Sequence, residues 1–397
     1  MKIIESCEVC GSKTLLPVLD LGTHPLCDDL IPTKEEIKCM EYPITILYCK
    51  NCKTAHQKFQ VEKKILFPQV YHYRSRFTND VLNGMKLLVE NIINHTGSIN
   101  NKKVLDIGCN DGSLLNFFFQ NGAITLGVEP TGAFEDIDKL KHIAYNNYFG
   151  LNIASEIMEK HGKVDIITFT NVFAHIEDLN GLIASLKIVM HENTIVVIEN
   201  HYLGSVLEKN QFDTFYHEHP RTYSLNSFKE IAKKLSLKIT KYQFPNRYGG
   251  NIQVILSNQQ ESNLIDLSKK IKDEESFDFD KLNQHIDNWK ESKKKELLEA
   301  YKTFGRLKAK AFPGRAAILV KCLQLDESII EAVYEKPGSP KIGHYVPGTR
   351  IPIKSDEELF NTLSEEKCIV NFAWHIEKEI TSYLREKGFK NKILNIH

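Results

Sequence analysis

The stretch that decides the fold is Val104-Leu105-Asp106-Ile107-Gly108-Cys109-Asn110-Asp111-Gly112. An apolar run is followed by a polar turn between two glycines, and a second apolar run, 114–119, follows the turn. This order predicts a strand, a tight turn and a helix, which is the opening of a βαβ unit. Because glycine lets the backbone bend sharply and approach a ligand closely, the turn is also a candidate binding site.

A second predicted strand, Ile124-Thr125-Leu126-Gly127-Val128, ends at Glu129. An acid about 20 residues beyond a glycine turn can accept hydrogen bonds from ribose hydroxyls. The pattern therefore predicts a cofactor that contains a nucleoside.

The spacing of the turn distinguishes between cofactors. A dinucleotide fold carries G-x-G-x-x-G and holds a pyrophosphate at the helix N-terminus. Here Asp106 precedes the turn and Asp111 lies within it. Two acids would repel a pyrophosphate, but they suit the sulfonium and amino groups of S-adenosylmethionine. The turn resembles the first motif of Rossmann-like methyltransferases, D-x-G-x-x-x-G, with an acid at the end of the next strand.

Composition limits the classes of partner. The length of 397 residues indicates two or three domains. Lys+Arg and Asp+Glu are both 51, so the net charge of 0 gives no electrostatic argument for nucleic acid or an anionic membrane. The chain has no apolar run of the roughly 18 residues that a membrane-spanning helix needs, and its first residues lack the apolar core of a signal peptide. We therefore expect a cytoplasmic protein with reduced thiols. The oligomeric state stays open, and a monomer is compatible with the sequence.

Four of the nine cysteines form two pairs, Cys7-x-x-Cys10 and Cys49-x-x-Cys52. Each pair can place two thiolates on one turn, and two such turns complete a tetrahedral zinc site. Reduced core cysteines are the alternative, but the repeated spacing favours zinc. Since four thiolates fill the coordination shell, this zinc is expected to be structural. Cys27 and Cys39 lie between the pairs and are treated as non-ligands.

Hydrophobic periodicity organises the rest of the chain. It predicts helices over 75–100, 178–189 and 224–235 and buried strands over 165–169, 194–199 and 251–256. Residues 258–310 mix both signs of charge and are expected to form connecting helices with solvated faces. A second α/β pattern follows, with strands over 316–320, 329–334 and 368–374 and helices over 356–363 and 376–387.

The segment Phe212-Asp213-Thr214-Phe215-Tyr216-His217-Glu218-His219 concentrates chemistry. It follows the strand that ends at Glu199, near the sheet edge where open α/β folds bind ligands. A histidine beside a carboxylate can act as a general base near neutral pH. His217 and His219 also have a spacing that permits metal binding, and both can be structural histidines. The interleaved Tyr216 and Glu218 favour catalysis.

The motifs occur in one order: the two C-x-x-C pairs, the D-x-G-x-N-D-G turn, N-V-x-x-H-I-x-D over 171–178, F-D-T-x-Y-H-E-H, and a Gly-Gly near residue 250. As a set they resemble the sugar C-methyltransferases of deoxysugar biosynthesis. The resemblance implies an α/β protein of three domains: a zinc-binding domain (1–72), a central Rossmann-like S-adenosylmethionine domain (73–258) and a smaller Rossmann-like C-terminal domain (259–397). It also implies methylation of a ring carbon next to a ketone in a nucleotide-linked keto-sugar.

The same resemblance implies roles for individual residues. His219 would remove the proton beside the ketone, Glu218 would orient or polarise His219, and Tyr216 would hold the substrate or its enolate. The Tyr71-x-Tyr73 pair corresponds to the family's Y-x-Y, and Tyr73 is the predicted pocket tyrosine. The predicted cofactor-binding residues are Asp106, Gly108, Asn110, Asp111, Glu129, Asn171 and His175. For Asn171 and His175, loop capping and packing are the alternative.

The chain departs from the family pattern at four places where the family touches its sugar nucleotide or packs around it. These are Ser75-Arg76, Tyr248-Gly249-Gly250-Asn251, the stretch 312–317 and Trp374-His375. The departures keep open an O- or N-methyltransferase acting on a sugar nucleotide or related metabolite. A zinc-containing scaffold without catalysis is a third reading, against which Asp106, Glu129 and the Tyr216–His219 set argue.

Overall fold

The computed structural model describes residues 1–68, 71–247, 249–258 and 266–397. The chain divides into two compact units. The first unit comprises residues 1–17, 47–209 and 218–277. The second comprises residues 18–46, 210–217 and 278–397. The boundaries of the three domains expected from the sequence stay a prediction. Residue 259, at which the C-terminal domain is predicted to begin, lies outside the described ranges.

The described residues form strands with these bounds: β1 (Lys2–Ile3), β2 (Leu16–Pro25), β3 (Glu41–Cys49), β4 (Thr54–Gln57), β5 (Phe59–Gln60), β6 (Lys103–Ile107), β7 (Ile124–Val128), β8 (Ile143–Tyr145), β9 (Val164–Thr170), β10 (Met190–His201), β11 (Arg221–Thr222), β12 (Lys238–Gln243), β13 (Asn251–Ser257), β14 (Leu307–Lys310), β15 (Ile330–Glu335), β16 (Ile353–Ser355), β17 (Cys368–Asn371) and β18 (Lys392–Asn395).

The α-helices are α1 (Lys63–Leu66), α2 (Asn79–Thr96), α3 (Ser113–Gln120), α4 (Leu151–His161), α5 (Leu179–Val189), α6 (Leu203–Glu208), α7 (Leu225–Lys234), α8 (Ser268–Asp273), α9 (Phe279–Phe304), α10 (Ala316–Leu323), α11 (Asp356–Asn361) and α12 (Glu377–Glu386). Short 3₁₀ turns cover Ser75–Phe77, Gly132–Asp136, Phe173–His175, Phe212–Thr214, Glu274–Ser276 and Trp374–Ile376.

A seven-stranded sheet forms the core of the first unit, in the order β12-β13-β10-β9-β6-β7-β8. Strands β10, β9, β6, β7 and β8 run parallel, and β13 and β12 pair antiparallel at one end. The central strands are near-continuous apolar runs because helices cover both faces of a parallel sheet. The predicted β6-turn-α3 unit and the predicted strands over 165–169, 194–199 and 251–256 are confirmed.

Both cysteine pairs belong to the first unit. Cys7, Cys49 and Cys52 are buried in the same apolar cluster as residues of the seven-stranded sheet. Strand β1 pairs antiparallel with β5, and β4 pairs antiparallel with β11 on one side and neighbours β3 on the other. The cysteine-bearing region of the first unit therefore shares a core with the sheet.

The second unit contains a five-stranded parallel sheet in the order β16-β15-β14-β17-β18. The predicted strand over 316–320 is wrong, because these residues begin helix α10. The strand that precedes this helix is β14, whose sequence Leu-Lys-Ala-Lys carries little apolar signal. A short apolar run such as Ala-Ala-Ile-Leu-Val has no polar positions to reveal a period, so a buried helix and a buried strand look alike.

Other predicted elements of the second unit are confirmed with shifted ends. Strand β15 and helices α11 and α12 lie where the periodicity placed them, whereas β17 ends at Asn371 and a 3₁₀ turn occupies 374–376. The expected α/β class is confirmed in both units. Within the described ranges, none of the helices is both long and apolar enough to cross a bilayer.

Candidate functional site

The turn after β6 has the backbone that its glycines require. Gly108 and Gly112 have φ of +72° and +78°, and Asn110 between them has φ of +51°. A Cβ on Gly108 would lie 2.6 Å from the side chain of Val172. Only glycine fits there, since any larger residue would be strained and would also collide.

Glu129 fastens this turn to the end of β7. Its Oε2 accepts a 2.9 Å hydrogen bond from the backbone N–H of Asn110. Its Oε1 accepts from the backbone N–H and the hydroxyl of Thr131, at 2.9 and 2.6 Å. Each carboxylate oxygen has two lone pairs, so this carboxylate can still accept a ligand hydroxyl at the position where the sequence predicts a ribose contact.

The charge at this edge suits a cation. Asp106, Asp111 and Glu129 are all buried there. Burial raises the pKa of Asp106 to about 7 and the charge of Glu129 adds to the rise, while a 2.7 Å hydrogen bond from the Thr168 hydroxyl opposes it. A cationic ligand would lower this pKa, and an anionic one would raise it further. The residues present therefore fit the sulfonium and amino groups of S-adenosylmethionine better than a phosphate.

The segment from Tyr71 to Arg76 forms hydrogen bonds with the same turn. Asn110 Oδ1 accepts from the backbone N–H of Ser75 at 2.9 Å, and Asn110 Nδ2 donates to the carbonyl oxygen of Tyr73 at 3.2 Å. Asp111 Oδ2 accepts from the backbone N–H of Arg76 at 2.9 Å. Asp111 also accepts from Ser113, through Oδ1. The departure from the family pattern at Ser75-Arg76 thus lies directly against the predicted cofactor turn.

The other end of this segment reaches Glu218, the neighbour of the predicted base His219. The hydroxyl of Tyr71 donates to Glu218 Oε2 at 3.3 Å. The Tyr73 side chain is 37% exposed, and this tyrosine contacts the turn through its carbonyl oxygen. Of the predicted tyrosine pair, Tyr71 is therefore the member whose hydroxyl meets Glu218, and the pocket role of Tyr73 stays a prediction.

Three imidazoles gather at the carboxyl ends of β9 and β10. The ring of His219 lies 4.8 Å from that of His175 and 5.2 Å from that of His201. Nδ1–H of His175 donates to the carbonyl oxygen of Glu218 at 2.6 Å. Burial lowers the pKa of His175 to about 4, so this ring is neutral at physiological pH. The structure brings His175, Glu218 and His219 together, and His201 is a neighbour that the motif analysis missed.

A buried polar network at the end of β10 was also missed. Glu199 pairs with Arg247, and both side chains are almost fully buried. Asn251 and Gln253 donate to the two oxygens of Glu199 at 3.0 and 2.8 Å. Asn251 also donates to Oδ1 of Asn171 at 3.0 Å. The predicted cofactor residue Asn171, whose φ is +54°, is thus held by this network.

A signal for this network existed in the sequence. Glu199 and His201 lie at the carboxyl end of a predicted strand, where open α/β sheets place their ligands. Arg247 and Gln253, the partners of Glu199, are distant in sequence and belong to no motif.

The segment 212–219 is divided between the two units. Glu218 and His219 belong to the first unit, whereas Tyr216 and His217 belong to the second. Within the second unit, Nε2–H of His217 donates to the carbonyl oxygen of Tyr42 at 3.0 Å. Burial lowers the pKa of His217 to about 4. This neutral, buried ring has the surroundings of a packing histidine.

Residues of the altered motifs cluster within the second unit. Both oxygens of the buried Asp213 accept hydrogen bonds from Arg315, at 2.6 and 2.8 Å. Trp374 Nε1 donates to the same carboxylate at 2.8 Å. Two of the departures therefore meet at one buried acid. Of the Tyr248-Gly249-Gly250-Asn251 departure, Tyr248 lies outside the described residues.

The four paired cysteines converge in the first unit. Cys7 Sγ lies 3.4 Å from Cys52 Sγ, and Cys10 Sγ lies 3.6 Å from Cys49 Sγ. All four sulfurs lie within 4.8 Å of one another. A tetrahedral zinc with Zn–S bonds of about 2.3 Å requires sulfur separations of about 3.8 Å. The backbone N–H of Cys10 also donates to Cys7 Sγ at 3.4 Å, so the sulfurs and their surroundings fit one structural zinc.

Three family models match the chain in order. A zinc binding domain matches residues 7–67, a methyltransferase domain matches residues 85–242, and a C-methyltransferase C-terminal domain matches residues 246–392.

Among proteins with similar sequences, C-methyltransferase NovU of Streptomyces niveus is 25% identical over 253 residues, which cover 63% of this chain and 60% of that protein. A ubiquinone biosynthesis O-methyltransferase of Acinetobacter baylyi is 27% identical over 120 residues, 29% of this chain and 48% of that one. The chain thus spans about 60% and about half of the lengths of these two relatives. Magnesium protoporphyrin IX methyltransferase from Synechocystis, solved with bound SAH, matches 45% of this chain and 83% of its own at 14% identity with a TM-score of 0.35, which is too weak a likeness to support an assignment.

Proposed function

Because the chain belongs to the C-methyltransferase family that carries an N-terminal zinc-binding domain, we propose that it transfers the methyl group of S-adenosylmethionine to a carbon atom. The carbon is the one next to the ketone of a nucleotide-linked deoxy keto-sugar. The observation that carries this proposal is the joining of two sites by one segment. The segment 71–76 contacts the acidic turn at Asn110 and Asp111, and it contacts Glu218, the neighbour of His219.

The acidic turn would hold the cofactor. Asp106, Asp111 and Glu129 supply negative charge near a cationic ligand, and Glu129 can accept from ribose hydroxyls. When bound, S-adenosylmethionine supplies an electrophilic methyl group. Asn171 and His175 border the same sheet edge, and their contact with the cofactor is part of the proposal.

His219 would act as the base. A proton next to a ketone is weakly acidic, so its removal needs a positioned base and donors for the developing enolate oxygen. Glu218 beside His219 would orient the imidazole and favour its protonated form, and its own position is held by the hydroxyl of Tyr71. His175 is held neutral and can donate or accept a hydrogen bond but carries no charge at neutral pH. Tyr216 would hold the substrate or its enolate, and Tyr73 would line the substrate pocket.

The reaction balances with these groups. The C–H bond next to the ketone breaks, its proton goes to a nitrogen of His219, and its electron pair becomes part of the enolate. The enolate carbon then forms a bond to the methyl carbon while the methyl–sulfur bond breaks, and the electron pair of that bond stays on the departing sulfur as a neutral thioether. This displacement depends on close in-line positioning. The zinc would take no part in these steps because its four thiolate ligands leave no open position.

The test is solvent exchange at the acceptor carbon. The zinc-loaded protein is incubated in D2O with nucleotide keto-sugars and without cofactor, and deuterium uptake is read by mass spectrometry. With S-adenosylmethionine present, the same sugar should gain one methyl. A positioned base contributes about 10²–10⁴-fold in rate, so His219→Asn should slow exchange by about this factor while leaving cofactor affinity unchanged.

His217→Asn is the matched control, because His217 is equally buried but bonded to Tyr42. If His217→Asn abolished proton exchange while His219→Asn left it intact, the base would be His217 and not His219. A methyl gain without any proton exchange would identify an O- or N-methyltransferase, because only carbon methylation needs that proton removed. We also propose that the reaction takes place in the cytoplasm on a small-molecule substrate.

A further inference from the structure

The residues that directly follow His219 are bound to the cysteine-bearing region. We define the zinc module as residues 1–17 and 47–60 of the first unit. Arg221, two residues after His219, is one of the largest fully buried side chains in the described chain. It forms an ion pair with Glu8, which lies between the predicted zinc ligands Cys7 and Cys10. A buried guanidinium thus connects the first cysteine pair to the segment that carries the predicted base.

The backbone makes a second connection. Strand β11 (Arg221–Thr222) pairs antiparallel with β4, so that Arg221 lies opposite His56 and Thr222 opposite Ala55. The backbone N–H of Gln57 donates to the carbonyl oxygen of Pro220 at 2.9 Å. Strand β4 begins two residues after Cys52. The backbone next to His219 is therefore a strand added to the edge of the zinc module.

A third connection reaches the second cysteine pair. The hydroxyls of Ser224 and Ser227 both donate to the carbonyl oxygen of Cys52, each at 3.1 Å. The hydroxyl of Thr54 lies 3.0 Å from Cys52 Sγ and 2.7 Å from Ser227 Oγ. The stretch from residue 220 to residue 227 consequently contacts Cys52 of the second pair and Glu8, which lies between the two cysteines of the first pair.

From these contacts we propose that Arg221 is a positioning residue, which uses its ion pair with Glu8 to hold Glu218 and His219 in place on the zinc module. The inference rests on the proposed function, because it assigns a purpose to the position of His219. Zinc binding would then be coupled to the geometry of the base, although the metal contributes no chemistry to the reaction. A displacement of about 1 Å at a reacting group can cost about 100-fold in rate, so a loosened segment would lower turnover even with the fold intact.

The proposal is tested first without substrate. Amide hydrogen–deuterium exchange by mass spectrometry is compared between zinc-loaded protein and protein stripped with a chelator. Peptides covering 218–224 should take up deuterium at least about tenfold faster after stripping, whereas peptides of strand β6 in the sheet centre should not change. Unchanged uptake at 218–224 in protein that has lost its zinc would overturn the coupling.

The second test uses Arg221→Met and Arg221→Lys. We expect both to keep their zinc, and Arg221→Met to slow exchange of the substrate proton by about 100-fold through kcat rather than KM. Arg221→Lys keeps the charge beside Glu8 and should restore part of the rate. If Arg221→Met does not fold, the test rests on Arg221→Lys alone. The positioning role would be refuted if Arg221→Lys took up deuterium faster at 218–224 but exchanged the substrate proton as fast as the unaltered protein.

Lys2→Met provides the matched control. Lys2 donates to the other oxygen of Glu8 at 2.7 Å, and its side chain is 56% exposed. The Lys2→Met variant should leave the zinc content, the deuterium uptake of 218–224 and the catalytic rate unchanged. If the unaltered protein exchanged no keto-sugar proton with solvent, only the proposed function would be refuted. The deuterium uptake of the 218–224 amides after zinc removal is measured without substrate and would still test the coupling. A zinc-retaining Arg221→Met with normal uptake and normal rate would overturn the inference while leaving the proposed function intact.

Discussion

Replacing Gly84 by alanine should destabilise the protein, although alanine usually stabilises a helix relative to glycine. Gly84 lies within α2, where alanine is normally favoured over glycine by about 1 kcal/mol. A Cβ on Gly84 would lie 2.0 Å from Nη1 and 2.3 Å from Cζ of Arg247. The guanidinium therefore occupies the space of the missing side chain, and it must move if alanine is introduced.

The cost follows from what Arg247 binds. Its guanidinium pairs with the buried Glu199 and donates to the carbonyl oxygen of Val81 at 3.1 Å. Losing one partner of a buried ion pair costs about 3–5 kcal/mol, because the buried charge of Glu199 would keep only the neutral donors Asn251 and Gln253. Subtracting the helical gain of about 1 kcal/mol leaves a net destabilisation of about 2–4 kcal/mol.

The assay is urea unfolding of the zinc-loaded protein, followed by circular dichroism. Asn83→Ala is the matched control, because Asn83 is the exposed neighbour on the same helix and its replacement should be neutral or slightly stabilising. In an Arg247→Ala background, Gly84→Ala should lose most of its cost, since Nη1, Cζ and Cδ of Arg247, which lie 2.0, 2.3 and 2.6 Å from the added Cβ, are all removed. A Gly84→Ala variant as stable as Asn83→Ala, or a cost undiminished in the Arg247→Ala background, would refute the reasoning.

Three further predictions concern the metal, the cofactor and pH. Freshly purified protein should contain about one zinc per chain by elemental analysis, and Cys49→Ser should lower this content. Glu129→Ala should weaken S-adenosylmethionine binding by about 1–3 kcal/mol in calorimetry, whereas the exposed control Glu135→Ala should not. Burial lowers the pKa of His217 from 6.5 to about 4, so its contribution to stability is complete above pH 6.5 and is lost as the pH falls towards 4. His217→Gln should therefore flatten the pH dependence of the urea midpoint across this window, and an unchanged slope would contradict the buried, neutral assignment.

Local patterns were enough to predict the elements that carry a strong signal. The β6-turn-α3 unit was predictable because its glycines require positive φ and its strand is apolar apart from Lys103 and Asp106. The cysteine pairs were predictable because metal geometry fixes their spacing. The run 316–320 was not, because a fully buried helix shows no polar face and its neighbour β14 contains two lysines.

Contacts between distant residues carried no comparable signal. The pairs Glu199–Arg247 and Glu8–Arg221 join residues far apart in sequence, and neither arginine belongs to a motif. Whether a given arginine is buried beside a carboxylate depends on how the sheet and its loops pack, which periodicity does not encode. The same limit explains why the hydrogen bond from the Tyr71 hydroxyl to Glu218 was not predicted.

The zinc module also explains why a metal that takes no part in methyl transfer would still matter for it. Its strands β1 and β5 have two residues each and pair with one another, and such a short two-stranded pairing is marginal in water without further support. Structural zinc sites contribute about 10–16 kcal/mol of apparent binding free energy to folding, which is large beside the contacts of these strands. Strand β11 pairs with the zinc module, and Glu218 and His219 closely precede β11 in the chain. The position of the proposed base therefore depends on the zinc module, and the stability of that module depends on the metal. Loss of zinc should consequently impair proton removal before the seven-stranded sheet is disrupted.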